Sequence, residues 1–384
     1  MDINYYVFEQ EKENPYHLVY GTDSADIKTE KDTARWPEQK IYLTAFYPDQ
    51  MITQVDFGFL NDSYQAYSFG AYYFNPGLNI FTKIGISDLF EDYKLTGGFR
   101  IAGNFDSFEY LLSLEDLKKR WDKQYIYHRL SYNNTYGNLN LSKTITNEVK
   151  AVISYPFDQV SSVRGTGSLR SDREIPLSTV PYSLEAADTS NYYAGVRLEY
   201  VFDNTIERGI NLYNGVRFKT FAEYYQDLEN NYVSTYILGA DFRFYIPLHR
   251  NLIFAGRMAG SSSFGTGKLV YYLGGVDNWI NFSRDLPTFD QTVRVDPDEN
   301  YIFQAVATDM RGFVQNARNG SKFVIANAEI RWPIIRYFMN RPIQNDFFNN
   351  FQIVGFADAG TAWSGDSPWD KTDAYNTEII DGTL

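Results

Sequence analysis

Past residue 45, hydrophobic and polar positions alternate one for one over segment after segment. In YYAGVRLEYVF (192–202), Ala194, Val196, Leu198, Tyr200 and Phe202 interleave with Gly195, Arg197 and Glu199. In NGVRFKTFAEYY (214–225), Val216, Phe218, Ala222 and Tyr224 fall opposite Gly215, Arg217, Lys219 and Glu223. In TYILGADFRFYI (235–246), Leu238, Ala240, Phe242, Phe244 and Ile246 fall opposite Gly239, Asp241 and Arg243. A period of two puts the two sets on opposite faces of a sheet, so the pattern predicts strands joined as hairpins. A soluble sandwich would alternate as well. Here, however, the hairpins run to about 20 to 30 residues, longer than the spacing of small sandwiches. The polar face mixes both signs of charge with glycine, as a wet, crowded lumen does, and the apolar face carries rings near strand ends, as a membrane girdle does. The expected fold is all-β, a transmembrane antiparallel β-barrel with Arg197, Arg217 and Arg243 turned to the lumen.

The pattern weakens elsewhere. Residues 1–45 are polar, charged and weakly periodic and read as a lead-in or linker, leaving 46–384 for the barrel. SLEDLKKRWDK (113–123) opens like a helix capping box but reads better as a charged hairpin tip. VRVDPDENY (293–301) reads as a solvated acidic loop, with a calcium site as the sharper alternative.

Composition narrows the class. The chain holds 32 Tyr, 29 Phe and 6 Trp, a surplus that suits strands and interfacial girdles. No run of about 18 apolar residues occurs, which excludes membrane-spanning helices and leaves a barrel open. A net charge of −13 argues against nucleic acid as a partner. Without cysteine there is no disulfide framework and no thiolate chemistry, which fits an exported envelope protein. The first residues lack the basic and apolar regions of a signal peptide, so the chain is either cytosolic or a mature portion; the strands favour the second.

Candidate chemistry is sparse. His17, His128 and His249 have no metal-ligand spacing, so no metal and no cofactor is expected. SSSFGTGKL lacks the first glycine of a phosphate loop, since that position is Ser262, and no Gly-x-Ser-x-Gly elbow occurs. VRGTGS (163–168) reads as a strand end. No enzyme is expected.

One constellation stands out. ATDMRGFVQNARNG (307–320) is a polar, glycine-bearing loop that precedes an alternating strand with Glu329 and then FQIVGFADAGTAW (351–363). On neighbouring strands Glu329 and Asp358 would share the lumenal face, with Val324, Ala326, Ala328, Ile330 and Trp332 on the other. Two confined carboxylates repel and call for a cation, which an inward-folded loop supplies as Arg311, whose planar fork suits carboxylates. Gly312 would permit the turn, and Phe313 would pack the tip against the wall.

The ordered set Arg311-Gly312-Phe313, then NAEIRWPI, then Phe356-Ala357-Asp358-Ala359-Gly360 resembles the Omp85 superfamily of outer-membrane barrels, to which the surface-antigen D15 proteins belong. YYLGG (271–275) resembles the strand end before that family's loop, and EYVFDNTIERG (199–209) its mid-barrel turn. The resemblance covers roughly 195–365 and implies a sixteen-stranded barrel of a Gram-negative outer membrane, with residues 276–320 as a long inward-folding loop. It implies that Arg311, Gly312 and Phe313 form a loop latch accepted by Glu329 and Asp358, with Phe356 and Gly360 in support. The implied function is insertion or translocation of unfolded outer-membrane or exported polypeptides without covalent chemistry, in contact with lipids and with periplasmic or lipoprotein partners. A passive channel or uptake barrel, with the arginine and acids as a constriction, is the competing reading. The chain ends at EIIDGTL, before the family's last strands, so further strands are expected beyond residue 384 and periplasmic repeats upstream of residue 1.

Overall fold

A computed structural model describes residues 44–369 apart from 68–71, 104, 137–138, 178–185, 277–288 and 340. The described residues belong to one compact unit, Thr44–Leu384. The expected lead-in, up to residue 43, lies outside the described residues, as do residues 370–384.

The strands in chain order are β1 (Phe46–Asp56), β2 (Gln65–Ala66), β3 (Asn79–Asp88), β4 (Tyr93–Ala102), β5 (Phe108–Asp116) and β6 (Asp122–Tyr136). Next come β7 (Leu139–Pro156), β8 (Ser161–Pro176), β9 (Thr189–Asp203), β10 (Ile206–Gly209), β11 (Leu212–Asp227) and β12 (Ser234–His249). The last are β13 (Leu252–Gly265), β14 (Lys268–Leu273), β15 (Tyr301–Ala307), β16 (Arg318–Gly320), β17 (Lys322–Trp332) and β18 (Ile353–Trp363). Two one-turn helices, α1 (Ile334–Phe338) and α2 (Asp346–Asn350), lie between β17 and β18.

The wall is one antiparallel sheet in the order β1-β3-β4-β5-β6-β7-β8-β9-β11-β12-β13-β17-β18, with β10 attached to β11. Nearest neighbours along the chain pair as hairpins, which is the economical way to satisfy every backbone group along a long sheet. Among the described residues β1 and β18 each keep one unpaired edge, so the sheet does not close. The expected hairpin tip at 113–123 is present, as the turn from β5 into β6.

Register explains the alternation. Asp203, Arg217, Arg243, Arg257, Asn327 and Asp358 are successive cross-strand partners from β9 to β18, so all face one side. That side carries the buried clusters, and Arg197, Arg217 and Arg243 all belong to it: Arg197 binds Glu223, Arg217 lies over Tyr213 and Tyr245, and Arg243 binds Asp241. The other face is apolar and exposed, with Val196, Leu198, Leu238 and Met258 along its middle. Two ladders of rings border that middle. Phe202, Phe218, Phe242, Phe244 and Phe254 form one, with centroids 5.3 to 6.2 Å apart. Tyr224, Tyr236 and Phe264 form the other, at 4.9 and 5.4 Å. Phe218 and Tyr224 lie on the same strand, six residues and about 20 Å apart at 3.3 Å per residue.

The interior is filled by a second, four-stranded sheet in the order β16-β14-β15-β2. The alternating segments do lie in one sheet, as expected; this inner sheet was not foreseen, and it moves the loop boundary. The wall strand β13 ends at Gly265, and YYLGG lies on β14 of the inner sheet, so the inward segment begins ten residues before the expected 276. The reason is burial on both faces: Leu269, Val270, Tyr271, Tyr272 and Leu273 are all at most 5 % exposed, so this strand carries no period-two signal. One face, with Leu269, Tyr271 and Leu273, packs on Tyr193, Ile237, Ala259 and Ile325 of the wall. The opposite face, with Val270 and Tyr272, packs on Phe289, Val295 and Tyr301. A second inward segment, running from β1 to β3, supplies β2 and was not visible in the sequence pattern.

Candidate functional site

The loop tip is built on glycine. Gly275 N donates to the Phe313 carbonyl at 2.9 Å and Met310 N to the Gly275 carbonyl at 2.9 Å, while Phe313 N closes a turn on the Met310 carbonyl at 3.3 Å. Gly274 has φ +129°, and a Cβ there would stand 2.0 Å from the Val314 carbonyl oxygen, so no other residue fits where the tip docks on YYLGG. Gly312 has φ +90° with open space around it; its requirement is conformational, since the left-handed region strains any residue with a Cβ.

This turn aims Arg311 back at the wall. Its Nε donates to Asp358 Oδ2 at 2.7 Å and its Nη2 to Asp358 Oδ1 at 2.7 Å, a bidentate fork. The Arg311 backbone N–H adds a third bond to Asp358 Oδ2 at 3.0 Å, and Nη1 donates to Glu329. The guanidinium also lies 4.0 Å over the Phe356 ring, a stacked geometry that lysine cannot reproduce. The Asp358 side chain is 2 % exposed, Glu329 17 % and Arg311 21 %. Hydrogen bonding to Asp358 first, and then to Glu329, raises the Arg311 pKa against the opposing effect of burial, so the charge is fixed.

The structure therefore brings Arg311, Glu329, Asp358 and Phe356 together, and Gly360 touches the tip through Met310. A Cβ on Gly360 would stand 3.1 Å from Met310 Sδ, and Met310 is 5 % exposed. Phe313, expected to pack the tip, is 50 % exposed; the flexible thioether fills that gap instead. Arg311 does serve both acids, as expected, and each acid has a further partner. Glu329 binds Arg331 Nε at 2.8 Å, and Asn327 Nδ2 bridges Asp358 Oδ1 at 2.8 Å to the Asp309 carbonyl at 2.6 Å. On the adjacent strand Arg257 holds Asp241 at 2.9 Å and reaches Asp309 at 3.3 Å. Signs are balanced across this network: Arg243, Arg257, Arg311 and Arg331 against Asp241, Asp309, Glu329 and Asp358. Asn327 and Arg331 share the alternating face of Glu329, which is the sequence signal that could have found them.

A second set lies on β4 to β6 and was not foreseen. Glu109 is fully buried and accepts from Arg100 Nε at 2.7 Å, His128 Nε2 at 2.8 Å and the backbone N–H groups of Leu60 and Asn61 at 2.9 and 3.1 Å. His128 is thus a buried structural partner. His249 bonds the Tyr337 hydroxyl at 2.8 Å, and His17 lies outside the described residues. In the acidic loop Glu299 pairs with Lys268. Among the described residues no group of three or more His, Cys, Asp or Glu is arranged to hold a metal. A polar cavity of about 820 Å³ remains in the interior, lined among others by Ser63, Tyr64, Glu148, Lys150, Arg197 and Glu223.

No family model and no curated protein matches the sequence. Among solved structures the chain is similar to the crystal structure of BamA from Haemophilus ducreyi lacking POTRA domains 1-3, with a TM-score of 0.51 and 13 % identity. That likeness covers 82 % of this chain but spans only 58 % of the BamA chain. By fold, then, the chain is an antiparallel β-barrel sheet similar to that of BamA.

Proposed function

We propose that this chain is the barrel of an outer-membrane protein insertase or translocase of the Omp85 type, in a Gram-negative outer membrane, working without covalent chemistry. The observation that carries the reading is the Arg311 fork on Asp358, set inside a sheet with the BamA-like fold. Two ring ladders bordering an exposed apolar band support a lipid-facing wall, since rings favour the interface and aliphatic side chains the hydrocarbon. The outer edge of β1, unpaired among the described residues, offers backbone groups to an incoming strand, which would add by β-augmentation. Unfolded outer-membrane or exported polypeptides are the substrates in this reading, with lipids and periplasmic or lipoprotein components as partners. A passive channel is disfavoured by the inner sheet, which occupies the lumen where a solute path would run.

A photocrosslinking amino acid at Thr53 or Gln54 on β1, in the full-length protein in cells, tests the reading. Adducts with newly exported outer-membrane polypeptides, absent from the same residue placed at Ala222 in mid-wall, are the expected result. Equal labelling at both positions would overturn it.

A further inference from the structure

The chain leaving β1 does not return directly to β3. Residues 57–67 cross the interior and bond to one wall strand after another. Leu60 and Asn61 donate to Glu109 on β5, Ser63 Oγ donates to Glu148 on β7 at 2.9 Å, and the Tyr64 carbonyl accepts from Arg170 on β8 at 2.6 Å. The Tyr64 hydroxyl then reaches Glu223 on β11 at 2.9 Å. At its far end the segment becomes β2, whose Gln65 and Ala66 pair with Gln304 and Phe303 of β15, and Tyr67 N donates to the Ile302 carbonyl at 3.0 Å. Asn75 Nδ2 adds a bond to Gln315 Oε1 at 2.7 Å, just past the latch tip. Phe303 is the hub: it is fully buried, with Tyr64, Tyr193 and Tyr225 rings 4.9 to 6.1 Å away and the Arg170 guanidinium 4.7 Å over its face. Four residues after β15 ends at Ala307 comes Arg311 itself.

We infer that residues 57–67 form a strap that couples the Arg311 latch to β1, whose outer edge is unpaired among the described residues, so that releasing the latch loosens that edge. Both ends are continuous in the chain, since Asp56 ends β1 and Thr308 follows β15, and β2 joins them by backbone pairing. A discrete element that both sites bias is what coupling requires. Its role in admitting a strand rests on the assembly reading above, whereas the coupling itself can be read without any substrate.

The test uses the full-length protein in lipid discs, with spin labels at Met51→Cys on β1 and Thr220→Cys on β11; the 384-residue chain has no cysteine of its own. A single distance is expected in the parent. Arg311→Ala should add a second population of about 10 % or more, the upper range of ordinary minor states. Removing the side-chain ties that flank this pairing, with Gln65→Ala (its amide oxygen accepts from Gln304 Nε2 at 3.4 Å) and Asn75→Ala (on Gln315), should produce a similar population, and all three changes together no more than either set. An unchanged distance in Arg311→Ala, or effects that simply add, would overturn the coupling. Should Arg311→Ala fail to fold, Arg311→Lys carries the same comparison with a smaller second population. Because the readout is a distance within the chain, failure of the insertase reading would leave it untouched.

Discussion

At the scale of single residues, the latch depends on Arg311 facing an acid that has few alternatives. Asp358 is nearly sealed and keeps Asn327 and the backbone N–H of residue 311 once the guanidinium is gone, whereas Glu329 retains Arg331. Breaking a wholly buried pair costs about 3–5 kcal/mol, and the partial exposure of Arg311 reduces that. Arg311→Ala is therefore expected to lower unfolding stability by about 2 kcal/mol, read by urea titration of the protein in lipid vesicles. Asp358→Ala should cost a similar amount, and the double variant clearly less than the sum, because the two act as one unit. Arg311→Lys should recover part of the loss, through charge but without the fork or the stacking on Phe356. Additive losses would show that the pair is incidental. Gly312→Ala should cost about 1–2 kcal/mol by backbone strain alone, because the added methyl meets open space.

At the scale of elements, legibility followed burial. Strands β9, β11 and β12 have one polar face, so alternation identified them and the inward side of Arg197, Arg217 and Arg243. The pairing of Arg311 with two acids was readable because the acids sit on that same inward face and the arginine lies on a glycine-rich loop. The inner sheet was not readable. β14 is buried on both faces and β2 has only two residues, so neither carries a period, and the boundary of the inward segment shifted accordingly. The Arg100–Glu109–His128 set was hidden for another reason: Arg100 and Glu109 face each other across β4 and β5, but only the register reveals it. Phe303 is the residue on which the inner elements converge, and Phe303→Ala should cost about 3–5 kcal/mol, the range for a fully buried ring. A loss below about 1 kcal/mol, within the range of surface substitutions, would mean that the inner sheet rests on the wall without depending on this packing.

At the scale of the whole molecule, an exposed apolar band between two ring ladders faces outward while a charged, filled interior faces inward. If lipid covers that band, an arginine at mid-band should cost about 2–4 kcal/mol, as it does at a bilayer midplane. Leu198→Arg, at a site 59 % exposed, is the substitution to make, since an exposed position on a water-covered surface would tolerate it. Action of the barrel on other polypeptides is tested most directly by reconstitution. The full-length protein in lipid vesicles would be given a urea-unfolded outer-membrane barrel, and its folding followed by heat-modifiable gel mobility. Faster folding than in empty vesicles is expected, and Arg311→Ala and Asp358→Ala should each reduce the gain. A client that folds no faster than in empty vesicles, in vesicles that have instead become permeable to small solutes, would contradict the assembly reading and favour a channel.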